Sequence, residues 1–295
     1  RWRVSARAWT SRSRVRAAML EVYGAKENIR LLRTEESLHE EAIRKLTAQM
    51  EAGDVSQFEL TQARLMINRA RLARQDAERL AATGEARLAA AIGVPLTALR
   101  AVDLDFSSFR SLGGIKPGEC RRYALTQRAD LMALLADYAS AESALKLELT
   151  KQYPDINLSP GYDYNSGQNR WQLGLNFELP LNGNRGPIAE AEARRTIAEK
   201  RFLLQQGVIE GEIDVALAAY QASKAKAETA AQLARDAATA TDTTRRMVEG
   251  GELSALELTR RRIEASTADV ALMAANLEAL TAAGALEDAM QATLR

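Results

Sequence analysis

The 295-residue chain is 46% hydrophobic and 27% charged but only 5% aromatic, a balance that favours long, closely approaching, alanine-rich helices over one thick core. Forty Lys and Arg against thirty-nine Asp and Glu leave a formal charge of +1, which points to neither a nucleic acid partner nor an acidic substrate. A single cysteine, Cys120, excludes an intramolecular disulfide and a cysteine-rich metal site, and no unbroken apolar run approaches the roughly 18 residues of a membrane-spanning helix, so strands would have to make any crossing.

Arg1, Arg3, Arg7, Arg12, Arg14 and Arg16 precede the first acidic residue. They read either as a basic arm for an anionic surface or as the solvated start of a long helix, and the second reading is adopted. No apolar core with a cleavage site follows them. Glu36 and His39 have the Glu-x-x-His spacing of carboxylate-bridged di-iron bundles, but His39 is the only histidine, so the second motif such a site needs cannot form. No metal and no cofactor is expected.

From Val15 to Ile92 there is no proline, and after Gly53 small or apolar residues recur at Met66, Ala70, Ala73, Ala77, Leu80, Gly84 and Leu88. Spacings of three and four predict one packed helix face whose small residues let axes approach. Gly53 interrupts the pattern. Ser56 then supplies an N-cap and Glu59 the third helical position, a capping box that starts a returning helix. Residues 1–95 are therefore expected to form a helical hairpin with its tip near 53 and arms of about 35 to 40 residues.

Two of the six prolines, Pro95 and Pro117, bracket residues 96–117, which alternate at Val102, Leu104 and Phe106, and this predicts an extended crossover or short strand. A helix over 118–152 leads to residues 153–182, where the period changes to two. Ile156, Leu158, Pro160, Tyr162 and Tyr164 alternate with polar or small residues, as do Trp171, Leu173, Leu175, Phe177 and Leu179 after a turn in "NSGQN". This is a β-hairpin, apolar on one face. A soluble hairpin laid on a core would alternate in the same way. Strand length, aromatics at both ends of the apolar face and the thinness of the surrounding helices favour a membrane barrel, with Leu173, Leu175 and Phe177 towards lipid and Gln172, Asn176 and Glu178 towards a lumen.

Residues 183–295 return to helix, with the apolar pattern Ile263, Val270, Met273, Leu277, Leu280 and Gly284 and a second tip near 250. "EAGDVSQFELTQAR" at 51–64 and "EGGELSALELTRRR" at 249–262 agree at seven of fourteen positions when offset by 198, so the chain is an internal duplication. The same offset puts a partner for the β-hairpin before Arg1. A trimer with one hairpin per copy would have six strands, fewer than the eight with which membrane barrels begin, and the chain is expected to be part of a longer protein.

No nucleophile can be paired with a second histidine, and neither a phosphate loop nor a ligand cluster appears, so an enzyme is not expected. The seven methionines sit at helical core spacings, where Met usually fills gaps.

The chain resembles the TolC-type outer-membrane efflux channels in "QRADLMALLADYASAESALKLELTKQYPDINLSPGY", "WQLGLNFELPLNGNRGPIAEAEARR", "EAGDVSQFELTQAR" followed by "AAIGVP", and "EGGELSALELTRRR". Ala129 stands where the family commonly has proline. The resemblance implies a mainly α fold with a transmembrane β-hairpin: long antiparallel helical hairpins forming a coiled-coil α-barrel, plus β-barrel strands, in a duplicated chain. It implies a homotrimeric passive duct in the outer membrane and periplasm of a Gram-negative bacterium. The partners would be a periplasmic adaptor, an inner-membrane pump and outer-membrane lipid, with no nucleic acid. Drug or heavy-metal efflux is the leading expectation. The exit duct of a type I protein secretion system is a rival within the family, and a soluble coiled-coil scaffold is a rival outside it.

By resemblance the tips contact the adaptor, through Gly53, Asp54, Val55 and Ser56 in the first and Gly250, Gly251, Glu252, Leu253 and Ser254 in the second. Glu257 falls where family members place an acidic ring that narrows the mouth, and Glu59 where a link holding it shut can occur. Leu253 and Arg260 replace a linking arginine and a second acidic position, so Glu257 with Arg260 or Arg261 is the expected pairing. The alternative, that both glutamates merely complete capping boxes, is open.

Overall fold

A computed structural model of the chain describes residues 2–109, 117–153, 155–177 and 183–293. Seven α-helices and two strands follow in the order α1 (Trp2–Glu51), α2 (Gln57–Ile92), α3 (Leu96–Leu99), α4 (Pro117–Gln127), α5 (Ala129–Thr150), β1 (Ile156–Asn165), β2 (Gln168–Phe177), α6 (Arg185–Glu249) and α7 (Ala255–Met290). The arms α2 and α7 have 36 residues each, whereas α1 has 50 and α6 has 65, longer than the spacing of start and stop signals suggests. Pro187 does not shorten α6 because it lies in the first turn, where its missing N–H has no helical partner to lose.

The chain divides into two compact units, one of residues 1–6 and 125–211 and the other of 7–124 and 212–295. In the larger unit α1 is the common element. Ala18 and Val22 pack with Leu88, Ala89 and Leu99, Leu20 packs with Phe109 and Leu280, and Ala42 and Leu46 pack with Leu60 and Leu256. Close approach is made by small residues. Any β-carbon at Gly84 would meet Val22, and Ala227, Ala275 and Ala279 pack α6 against α7. Helix axes can come together this closely only where side chains are short.

The buried seam of α2 is Leu60, Ile67, Ala70, Ala77, Ala81, Gly84 and Leu88. Met66, Ala73 and Leu80, assigned to the packed face by their spacing, lie off it and are exposed. Ala70, Ala77, Gly84 and Leu88 are buried as their spacing placed them; the exceptions are differences of phase, since Ile67 and Ala81 take the inward positions beside Met66 and Leu80. Helix α7 is also long and apolar enough, by length and composition, to span a membrane, contrary to the reading of the sequence. Much of that apolarity is alanine buried among neighbouring helices, including Ala268, Ala275, Ala279, Ala282 and Ala283.

Between α2 and α4 the described residues form no strand. Pro95 starts α3 with φ −61° and ψ 145°, and the Asp105 carboxylate accepts from Ser107 N–H (2.8 Å) and Oγ (2.9 Å) to start a 3-10 turn at Ser107–Phe109. Val102 is 62% exposed while Leu104 and Phe106 pack inward, so their alternation marks no common face. The single helix expected over 118–152 is two helices, because Arg128 is extended (ψ 127°) and caps α5. Its guanidinium, buried, holds Asp130 through Nε (3.0 Å) and Nη2 (2.6 Å). Burial would push the Asp130 carboxyl up, but Arg128's two hydrogen bonds and charge, with Leu131 N–H, outweigh it and hold the pKa below the usual value. Ala129 occupies the first helical position without proline's help.

Near the N-terminus two of the arginines, Arg12 and Arg16, are engaged within the larger unit, while Arg7 and Arg14 are exposed. Arg12 and Arg16 both reach Glu287 at 3.4 Å, Arg12 stacks over Trp9, and Trp9 and Ser13 donate to Asp288. Arg16 crosses α7 at Gly284, where any side chain would displace it.

Candidate functional site: helical tips and an apolar hairpin

Both tips end their first helix with the same device. Gly53 and Gly251 have φ of 84° and 77°, a conformation that costs any other residue about 1–2 kcal/mol. Their N–H groups bond Met50 and Val248 carbonyls at 3.0 Å, while Asp54 and Glu252 N–H reach back to Gln49 (2.9 Å) and Met247 (2.8 Å). This is the paired hydrogen bonding of a Schellman cap. Ser56 and Ser254 then start α2 and α7 from extended backbone. Gly53, Asp54, Ser56, Gly250, Gly251, Glu252 and Ser254 are exposed, and Val55 and Leu253 are half-buried.

The capping boxes are only half formed. Glu257 N–H donates to Ser254 Oγ at 3.2 Å, whereas Ser56 caps through its carbonyl alone, bonded by Glu59 N–H at 3.1 Å. Both glutamate carboxylates face arginines instead. Arg260 Nη2 lies 3.3 Å from Glu59 and its Nη1 3.9 Å from Glu257, and Arg261 Nη2 lies 3.2 Å from Glu257. The structure thus brings Glu59, Glu257, Arg260 and Arg261 into one cluster, with Arg260 joining the first copy of the repeat to the second. Arg261 also donates to Glu264 at 2.9 Å, which, with Glu257, raises its pKa further.

Beneath this cluster lies a network that sequence reading missed. Lys45 Nζ donates to Glu41 (2.7 Å), Thr259 Oγ1 (2.7 Å) and the Ala255 carbonyl (3.0 Å). Thr259 Oγ1 is also within 3.1 Å of Glu41, and Arg262 Nη1 within 3.4 Å of its other oxygen. Lys45's hydrogen bond, then Thr259's and the two cationic charges, hold Glu41's carboxyl below its usual pKa despite partial burial. In sequence, Glu41 and Lys45 look like any solvated pair four residues apart, and Thr259 is identical to its exposed counterpart Thr61.

His39 lies against an apolar recess of about 250 Å³ bordered by Leu46, Met66, Leu256 and Ile263, with Glu59 and Arg260 at its edge. Its Nε2 is 3.8 Å from Glu35. Glu36, the other half of the sequence motif, bonds Arg71 (2.7 Å) and Arg74 (2.9 Å) instead, and among the described residues no three His, Cys, Asp or Glu gather as metal ligands.

In the smaller unit β1 and β2 pair antiparallel, setting Ile156 opposite Phe177, Leu158 opposite Leu175, Pro160 opposite Leu173 and Tyr162 opposite Trp171. The connection has φ of 54° at Ser166 and 84° at Gly167, the two positive values of a type I′ turn. Apolar residues therefore fill one face. Leu173, Leu175 and Phe177 are 73%, 61% and 50% exposed. Gln172 and Asn176 lie on the other face, beside Gly161 and Asn157, and Glu178 lies outside the described residues.

A family model described as outer membrane efflux protein matches residues 121–291. No curated protein sequence matches the chain. Solved structures match over nearly its full length. The outer membrane protein VceC of Vibrio cholerae gives a TM-score of 0.73 at 18% identity, covering 100% of this chain and 72% of that one. A membrane protein from Pseudomonas aeruginosa gives 0.72 at 18%, covering 97% and 68%. The CmeC outer membrane channel of Campylobacter jejuni gives 0.67 at 18%, covering 98% and 64%. At these identities the likeness is one of fold, and it joins the duplicated helical hairpins and the β-hairpin to channel architecture. With the family model spanning more than half its residues, the chain belongs to the outer membrane efflux protein family.

Proposed function

We propose that the chain forms, as a homotrimer, a passive exit duct of a tripartite efflux system. The duct carries small toxic compounds or metal ions across the periplasm and outer membrane of a Gram-negative bacterium. Outer-membrane lipid surrounds the strands, the two tips meet a periplasmic adaptor, and an inner-membrane pump supplies the cargo. The chain itself performs no chemistry.

The observation that carries this reading is the uncovered apolar face of the β-hairpin. Its side chains are half to four-fifths exposed, and at about 25 cal/mol per Å² such a face is costly in water. Hydrocarbon removes that cost. It also requires every backbone group to be paired, so the free edges of β1 and β2 call for neighbouring strands.

At the tips, Glu59, Glu257, Arg260 and Arg261 act as a mouth latch in this reading. Half-exposed ion pairs are worth about 0–1 kcal/mol each, weak enough for an adaptor to exchange them for its own contacts. Carboxylates gathered about a threefold axis would also favour cations at the mouth.

Leu175→Arg should prevent recovery of the trimer from outer membranes, whereas Asn176→Arg should leave recovery intact and alter single-channel conductance in planar bilayers. Equal recovery of both variants would refute the lipid-facing assignment.

A further inference from the structure

The chain is 27% charged, yet β1 and β2, of ten residues each, contain only two charges between them, Asp163 and Arg170. The register sets these two directly opposite each other, with β-carbons about 5 Å apart. Strand alternation puts both on the polar face, away from Leu158, Leu173 and Leu175. Both are exposed, and among the described residues neither closes an ion pair, although a side chain of opposite sign stands across the ladder. A pair whose task was to fix the register would be closed, and would contribute about 0.2–1 kcal/mol. Open, the two side chains present a carboxylate and a guanidinium to whatever fills the space in front of the face.

Their level along the hairpin is defined. Asp163 and Arg170 lie two residues from Asn165 and Gln168, the pair that closes the turn, hence roughly 7 Å from it at the rise of a strand. The other ends, Ile156 and Phe177, lead along the chain to α5 and α6. Between the charges and those ends the same face carries Gly161, Ser159 and Gly174, which project little. Arg170 is the longest side chain on the face, and it stands beside the turn.

We propose that Asp163 and Arg170 form a paired charge site that sets the ion selectivity of the duct at its outer mouth. This rests on the efflux-duct reading, in which the helices lie in the periplasm, the polar face lines the lumen and the turn opens to the cell exterior. Three copies then line one level of the lumen with three carboxylates and three guanidiniums. Fixed charges on a pore wall rank ions by sign. In equal numbers and about 5 Å apart they offset each other beyond that distance, so the outer mouth favours neither small cations nor small anions. Removing either member exposes the other.

The test is the reversal potential of the trimer in planar bilayers, between KCl solutions of about 10 and about 100 mM, since the screening length at the dilute side is about 30 Å. Arg170→Glu should raise the ratio of potassium to chloride permeability about twofold or more, and Asp163→Arg should lower it by a similar factor. The exchange of both, Asp163→Arg with Arg170→Asp, should return the ratio to that of wild type. Unmoved reversal potentials in both single variants overturn the proposal, and so does an exchange that restores nothing, because the two residues would then act separately. Arg170→Gln, which keeps a polar side chain, should assemble and shift the ratio less than Arg170→Glu. Loss of the Gln variant's trimer from outer membranes would turn Arg170 away from the lumen and overturn the assignment. Wild-type conductance separates the two levels: a trimer that does not conduct removes the duct and this site with it, and a conducting trimer whose selectivity ignores both residues removes this inference alone.

Discussion

The two tips share seven of fourteen residues and one backbone. Ser56 has φ −79° and ψ 151°, and Ser254 has φ −78° and ψ 153°. Their side chains nevertheless live in different surroundings. Phe58 is 69% exposed where its counterpart Leu256 is 8% exposed, and Leu60 is buried where Leu258 is only half-buried. Thr61 is exposed, and Thr259 has no accessible surface. The glycine, the N-cap and the helix phase turn the chain back, and these are local properties. Burial depends on neighbours, and α7 begins against Ala42, Leu46 and Leu60 of the first copy, whereas the Phe58 side of α2 meets none of them. Duplication preserved the turn and let the packing diverge.

The sharpest way to break this comparison is to truncate the matching side chain in each copy. Leu256→Ala should cost about 2–3 kcal/mol in denaturant unfolding, while Phe58→Ala, though it deletes more atoms, should stay within about 0.5 kcal/mol. A Phe58 cost equal to that of Leu256 would mean that another surface covers it. Thr259→Val should cost about 1–2 kcal/mol, because Lys45 and Glu41 lose a buried partner; Thr61→Val should be nearly silent. The same network gives the joint between the two copies an acid sensitivity. Glu41's pKa is lowered in the folded state, so its stabilising contribution is complete above the unfolded value of about 4.3 and is lost as pH falls through the folded one. Glu41→Gln should therefore flatten the pH dependence of unfolding below about pH 4, measured by thermal melts. An unchanged slope would assign the acid sensitivity to Asp130 or Glu36, whose pKa values are also lowered.

What could be read in the sequence follows the same division between local and distant causes. The tips, the hairpin and its register rest on glycines, caps and alternation within a dozen residues, and Ile156 does pair with Phe177. The cluster of Glu59, Glu257, Arg260 and Arg261 was within reach because resemblance supplied positions that spacing could not. The helix break at Arg128 was not legible, since it depends on a buried guanidinium finding Asp130. The seam of α2 was legible in part: Ala70, Ala77, Gly84 and Leu88 are buried where spacing placed them, but alanines occur on every face of these helices and hydrophobicity alone does not fix the phase of the rest. Lys45 and Thr259 are 214 residues apart, and nothing in either neighbourhood announces the other.

The smallest expected change in stability belongs to Arg260, the residue that joins the copies. Its pairs with Glu59 and Glu257 are about half exposed, so Coulomb attraction is screened and Arg260→Ala should shift unfolding by no more than about 1 kcal/mol. At high salt, where exposed pairs contribute least, wild type and variant should converge. A functional effect need not be small, because a latch acts on the balance between closed and open forms, and about 1.4 kcal/mol changes that balance tenfold. If the pair holds the mouth, Arg260→Ala and Glu59→Ala should each raise open probability in bilayer recordings, and the double variant should add little to either, since both remove one link. Additive effects of the two substitutions would show that Glu59 and Arg260 act separately.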